Sequence, residues 1–95
     1  MDKKIIELDK GQAEGFRIDL DNAPLILVKA KRGYVMCGYL NLKAAQKFGD
    51  VAVKIVGVSS IEEALKTTVH SCTSAAKKLG ISKGRPVKEV LKIIS

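Results

Sequence analysis

Gly33-Tyr34-Val35-Met36-Cys37-Gly38-Tyr39-Leu40 is nearly all apolar, is flanked by glycines, and carries a cysteine where a strand should run. The run before it, Pro24-Leu25-Ile26-Leu27-Val28-Lys29-Ala30, is apolar as well. Successive side chains of a strand point to opposite faces, so in both runs the two faces are equally apolar. A sheet built from such strands has to be covered on both sides. Lys31-Arg32-Gly33 between the runs is short enough to join them as a hairpin.

Upstream, Ile5, Ile6 and Leu8 predict a weak first strand ended by Asp9-Lys10-Gly11. Phe16, Ile18 and Leu20 alternate with Arg17, Asp19 and Asp21, the period of a half-exposed strand. Asp21-Asn22-Ala23-Pro24 then reads as a turn. Downstream, Asn41 is placed to cap a short helix, Leu42 to Phe48, with Leu42, Ala45 and Phe48 on one side and Gly49 as its stop. Val51-Ala52-Val53-Lys54-Ile55-Val56-Gly57-Val58 predicts a further strand, apolar on both faces apart from Lys54. Ser60 and Glu63 form a capping box. Beyond it Ile61, Leu65, Val69, Cys72, Ala76 and Leu79 recur at helical spacing, and Thr67-Thr68-Val69 can break that region into two helices, Ser60 to Lys66 and Thr68 to Leu79. Gly80 ends it, and Pro86 opens a last helix with Val87, Val90, Leu91 and Ile94 on one face.

Strands first and helices last predict an α+β fold: a mainly antiparallel sheet of about five strands with roughly three to four helices, mostly C-terminal, packed on one face. The chain reads as a single domain, with residues 1–40 β-rich and 41–95 running helix, strand, helices. If the helices cover one side, the other still carries apolar groups. At ~25 cal/mol per Å², wetting several of them costs several kcal/mol, comparable to the stability of a small domain. A second copy is the simplest cover, and a homodimer or homotetramer through the N-terminal strands is expected.

Apolar residues make up 46% of the chain, enough for a core of Val, Ile, Leu and Ala, and this argues against disorder. No apolar run approaches the ~20 residues of a membrane span, and Met1-Asp2-Lys3-Lys4-Ile5-Ile6-Glu7 is too short and charged for a signal peptide, so no membrane partner and a cytoplasmic location are expected. In that compartment Cys37 and Cys72, which lack metal-ligand spacing, default to free thiols. The formal charge of +7 is unevenly spread. Residues 1–21 hold four cations against six acids, whereas 77–95 hold Lys77, Lys78, Lys83, Arg85, Lys88 and Lys92 against Glu89 alone. This basic region suits an anion or nucleic acid, but a solvated face is the simpler reading; no RNA-binding aromatic motif accompanies it, so nucleic acid is not the favoured partner.

Cys37 is the sharpest chemical candidate, either as a nucleophile or redox thiol or as a small buried hydrophobe. Gly38 beside it leaves the backbone open to a ligand. His70 is the sole histidine, so any Cys–His pair has to use it, and it falls near the start of its expected helix. Gly80-Ile81-Ser82-Lys83-Gly84-Arg85-Pro86 brings Lys83 and Arg85 to a helix start, an arrangement that serves either an anion or a plain turn. No metal-ligand set and no cofactor motif is present.

With those residues in place, the sequence resembles the YunC-like family of small bacterial and archaeal proteins, a domain of unknown function. The resemblance rests on Gly33 to Leu40, on Phe48-Gly49-Asp50-Val51-Ala52, on Val56-Gly57-Val58 with Ile61-Glu62-Glu63-Ala64-Leu65, and on Ala75-Ala76-Lys77-Lys78-Leu79-Gly80-Ile81 with Gly84 after it. It implies an α+β fold and an N-terminal β region that mediates tetramer formation, and it supplies no activity, cofactor or catalytic residue. Relatives tend to carry a proline where this chain has Thr67-Thr68. The function expected is that of a small homo-oligomeric binding or regulatory module. A thiol-dependent enzyme using Cys37 and an anion or nucleic-acid binder through the basic C-terminal region are the alternatives.

Overall fold

A computed structural model describes residues 2–95. Over these residues the chain runs β1 (Asp2–Leu8), β2 (Gly11–Asp19), β3 (Pro24–Lys29), β4 (Tyr34–Met36), α1 (Leu42–Phe48), β5 (Ala52–Lys54), α2 (Ile61–Lys66), β6 (Ser71–Cys72), α3 (Ser74–Lys78) and α4 (Val87–Ile94). The strands form one sheet in chain order. Every pairing is antiparallel except that of β4 with β5, which is parallel. The fold is α+β, with its helices mostly C-terminal. No helix among the described residues is long and apolar enough to cross a membrane.

Local signals account for most boundaries. The Asn41 side chain accepts from Lys43 N and Ala44 N, and Gly49, at φ 76°, donates back to the last turn of α1. At α2, Ser60 Oγ accepts from Glu63 N at 3.1 Å. The Glu63 carboxylate accepts from the Ser59 hydroxyl and the Ser59 N–H at 2.6 and 2.7 Å, and those bonds hold it below the ordinary carboxylate range. Pro86 precedes α4, as its fixed φ favours. Arg32 N donates to Ile94 O at 2.8 Å, tying the β3–β4 turn to the end of α4.

The main core lies between one sheet face and α2, α3 and α4. Ala13, Ile26, Val28, Val35 and Val53 supply the sheet side; Ala64, Ala76, Val90, Leu91 and Ile94 supply the helices. Gly15 admits α2, because a Cβ there would stand 2.9 Å from Ile61 Cγ2. α1 departs from the one-face arrangement. It crosses from β4 to β5 over the opposite face, where Ala45 packs with Met36 and Ala52 in a smaller second core. A parallel pair requires such a crossover. Phe48, expected on the same side of the helix as Leu42 and Ala45, is 78% exposed at the end of α1.

Two expected strands are shorter than their apolar runs. β4 stops at Met36, and Cys37 to Leu40 turns, with Leu40 N donating to Cys37 O. β5 stops at Lys54 before the loop containing Gly57, whose φ is 73°. The helix expected over Thr68 to Leu79 is replaced by an extended segment, the short β6, and then α3. Thr73 explains the switch. Its buried hydroxyl donates to Asp50 O and accepts from Ala52 N and from Ala76 N, so one side chain holds the segment against β5 and caps α3.

Candidate functional site

β4 and β5 run parallel, so the loops leaving their carboxyl ends lie on the same edge of the sheet. Antiparallel β3 begins at that edge with Pro24. Segments from all three line a cleft of 290 Å³, with Pro24, Cys37, Gly38, Tyr39, Gly57 and Val58 in its walls. The carboxyl end of parallel strands is the recurrent ligand edge of sheets crossed by helices, because βα loops converge there. Gly38 keeps this place open: a Cβ added to it would meet no atom within 4 Å. A neighbouring groove of 470 Å³ shares Gly38 and Tyr39 with Asn41, Lys43, Lys54 and Ser71.

Cys37 lines the first cleft while remaining only 4% exposed. Its N–H donates to Ile26 O at 3.2 Å, and its Sγ accepts from Ile26 N at 3.3 Å. Sulfur thus replaces a carbonyl where β4 runs out and β3 still needs an acceptor, and the residue packs with the main core. His70 is not on a helix. It is exposed just before β6, its N–H donates to Lys54 O, and its Nδ1 lies 3.2 Å from Ser71 Oγ. Cys37 and His70 share no hydrogen bond among the described residues. Cys72 is half-buried; burial pushes its thiol up, and its Sγ faces Ile81 O at 3.7 Å.

Of the two basic candidates, Lys83 is exposed on the turn before α4. Arg85 is engaged: Nη1 donates to Gly80 O at 2.6 Å and Nε to Glu89 Oε1 at 3.0 Å. Among the described residues no three His, Cys, Asp or Glu side chains gather as metal ligands. The sequence reading gives Lys54, Ser71 and Thr73 no role in a site. The signal for Lys54 was present, since it is the one charge inside an otherwise apolar run, Val51 to Val58.

Comparisons with known proteins show which family the chain resembles. The profile of a domain of unknown function, DUF1805, matches residues 36–94. The uncharacterized protein YunC of Bacillus subtilis (strain 168) is 33% identical over 78 residues, spanning 78% of this chain and 77% of YunC. The crystal structure of TA1206, a protein of unknown function from Thermoplasma acidophilum, superposes with a TM-score of 0.94 at 35% identity, covering 99% of this chain and 92% of that one. The profile match opens on Met36, one residue before the cleft cysteine, and closes on Ile94 at the end of α4. The chain therefore belongs to the YunC-like family of DUF1805, whose function is unknown.

Proposed function

We propose that this protein is a self-associating binding module that holds a small ligand in the cleft at the carboxyl ends of β4 and β5. The observation that carries the reading is the convergence of the Cys37–Tyr39 and Gly57–Val58 loops around a glycine whose open side faces no other atom. The apolar walls, Pro24, Tyr39 and Val58, suit a flat or aliphatic group. Phenol and indole, titrated into the labelled protein, are expected to shift the Cys37 to Tyr39 and Gly57 to Val58 amides to saturation. Gly38→Val, which builds into open space, should abolish those shifts without lowering Tm. Amides that ignore both probes, or shifts that persist in Gly38→Val, sink the reading.

Self-association is supported by the outer face of β1–β3, which no helix crosses over. The strand register puts Ile5, Phe16, Ile18 and Leu27 on that face, with Phe16 opposite Leu27. Ile5 and Ile18 are exposed, and Phe16 and Leu27 only half-buried. Charge interleaves with this face on the β1 side, where Lys3 stands opposite Phe16 and Glu14 opposite Ile5, and the two pair with each other at 2.7 Å with Lys3 5.9 Å over the Phe16 ring; Phe16, Ile18 and Leu27 remain a contiguous apolar group. A homodimer or homotetramer would cover the strip, as closed assemblies commonly do. Two free thiols suit a reducing, cytoplasmic setting.

A further inference from the structure

We infer that the groove beside the cleft, built by Lys54, Lys43, Ser71 and Asn41, is a binding site for the phosphoryl group of a small phosphomonoester. This goes beyond the cleft reading and stands whether or not the cleft holds a ligand. Lys54 carries the inference. It sits half-buried on β5, an interior strand, between Met36 on one side and Ser71 on the other. A cation held there needs an anion or a route to water for its head group. None of the ion pairs among the described residues involves Lys54 or Lys43. No carboxylate lines the groove, and both lysines stand in its walls.

The remaining donors complete the chemistry. Asn41 spends its Oδ1 on Lys43 N and Ala44 N, at 2.8 and 3.4 Å, which leaves its amide N–H groups to donate. His70 Nδ1 lies 3.2 Å from Ser71 Oγ. With an anion in the groove, the favoured arrangement has Nδ1–H donating to Oγ and the hydroxyl proton turned to the ligand. Two lysines match the charge of a phosphomonoester dianion, and lysine binds phosphate as a point charge without demanding one planar geometry. The groove volume of 470 Å³ leaves room for the rest of a small ester.

Inorganic phosphate is the probe, titrated at constant ionic strength against sodium chloride into the full chain, with amide shifts as the readout. Saturable shifts at Gly38 to Lys43 and at Ser71 are expected. Lys54→Gln should weaken them about 10-fold and Lys54→Arg only slightly, as for a charge-assisted hydrogen bond. Lys43→Gln, a surface change that leaves the sheet alone, should weaken them ~3-fold or more, so the test survives if Lys54→Gln fails to fold. Lys83→Gln should change nothing. Shifts without saturation, shifts centred on Lys83 and Lys88, or indifference to Lys43→Gln overturn the inference. Phenol shifts around Gly57 and Val58 that persist beside such a failure leave the cleft reading in place.

Discussion

The hydroxyl of Thr73 donates to the Asp50 carbonyl oxygen at 2.7 Å, linking the start of α3 to the chain two residues before β5. The same Oγ1 accepts from Ala52 N and from Ala76 N at 3.2 Å each, and the side chain is 1% exposed. Thr73→Val keeps the shape, deletes both the donor and the acceptor, and leaves two buried N–H groups and a half-buried carbonyl without that partner. A loss of about 2–4 kcal/mol is expected, read from urea midpoints with an unchanged m-value. Thr73→Ser retains the hydroxyl and should recover most of that loss. If the valine variant unfolds at the wild-type midpoint, the hydroxyl is not the clasp described.

Tyr34 donates its phenol proton to Asp50 Oδ2 at 2.7 Å. Burial first, and then this bond to Asp50, push the phenol from its ordinary value up to about 12. An unfolded tyrosine titrates near 10, so between about pH 10 and 12 the folded chain keeps a proton that the unfolded chain has lost. The stabilisation is therefore fully present below about pH 10 and disappears as pH rises toward 12. Tyr34→Phe should cost about 1 kcal/mol near neutrality, the modest figure reflecting partial exposure. The difference between wild type and variant should shrink across the alkaline window; a difference that stays constant there would show that Tyr34 does not titrate in this way.

Much of the chain before residue 67 was legible because its signals are local. Alternation in Phe16 to Asp21, the turn at Asn22 and Pro24, the Asn41 cap, the Gly49 stop and the Ser60–Glu63 pair each act within a few residues. The region 67–73 was not. Val69 and Ala76 are both buried in the main core, so burial gives them helical spacing although the chain does not become helical until Ser74. What decides the path is Thr73 meeting Asp50 and Ala52, a long-range contact with no signature in the spacing. The carboxyl-edge cleft was half visible. Cys37 and Gly38 stood out, but their partners Pro24 and Val58 reach them only through the sheet, and Lys54 looked like an exception to an apolar strand. The parallel register of β4 and β5 follows from α1 crossing between them, a topology that short apolar runs do not reveal.

Gly33 is fixed by Val51 and not by its dihedral angles. A Cβ at Gly33 would stand 2.6 Å from Val51 O and 2.9 Å from Val51 Cγ1, and that carbonyl already accepts from Tyr34 N at 3.1 Å. Backbone held by such a bond yields poorly. Gly33→Ala should cost about 2–3 kcal/mol, and the β4–β5 amides should lose hydrogen-exchange protection. Gly38→Ala is the control: with no atom within 4 Å of the new methyl, its stability should stay within about 0.5 kcal/mol of wild type. Equal effects from the two substitutions would mean that close approach to Val51 is not what reserves Gly33.

The outer strip of β1–β3 offers the decisive measurement on assembly. Ile18 is 37% exposed there, near Leu27 and Phe16, and covering the part of such a side chain that remains open contributes roughly 0.5–1 kcal/mol, the exposed share of the figure for complete burial. The strip would meet its own counterpart across a two-fold axis, so a charge placed in it faces both desolvation and a like charge. Sedimentation velocity on the wild-type chain should give a species at least twice the 10.3 kDa protomer. Ile18→Glu should move it to the protomer while leaving the far-ultraviolet circular dichroism unchanged, because the side chain belongs to no folded core. Leu27→Glu should do the same with a further drop in Tm, since that residue is half-buried within the protomer. A wild-type chain that sediments as a stable protomer at ~100 µM, far above the Kd expected of a standard interface, would remove self-association from the proposed function.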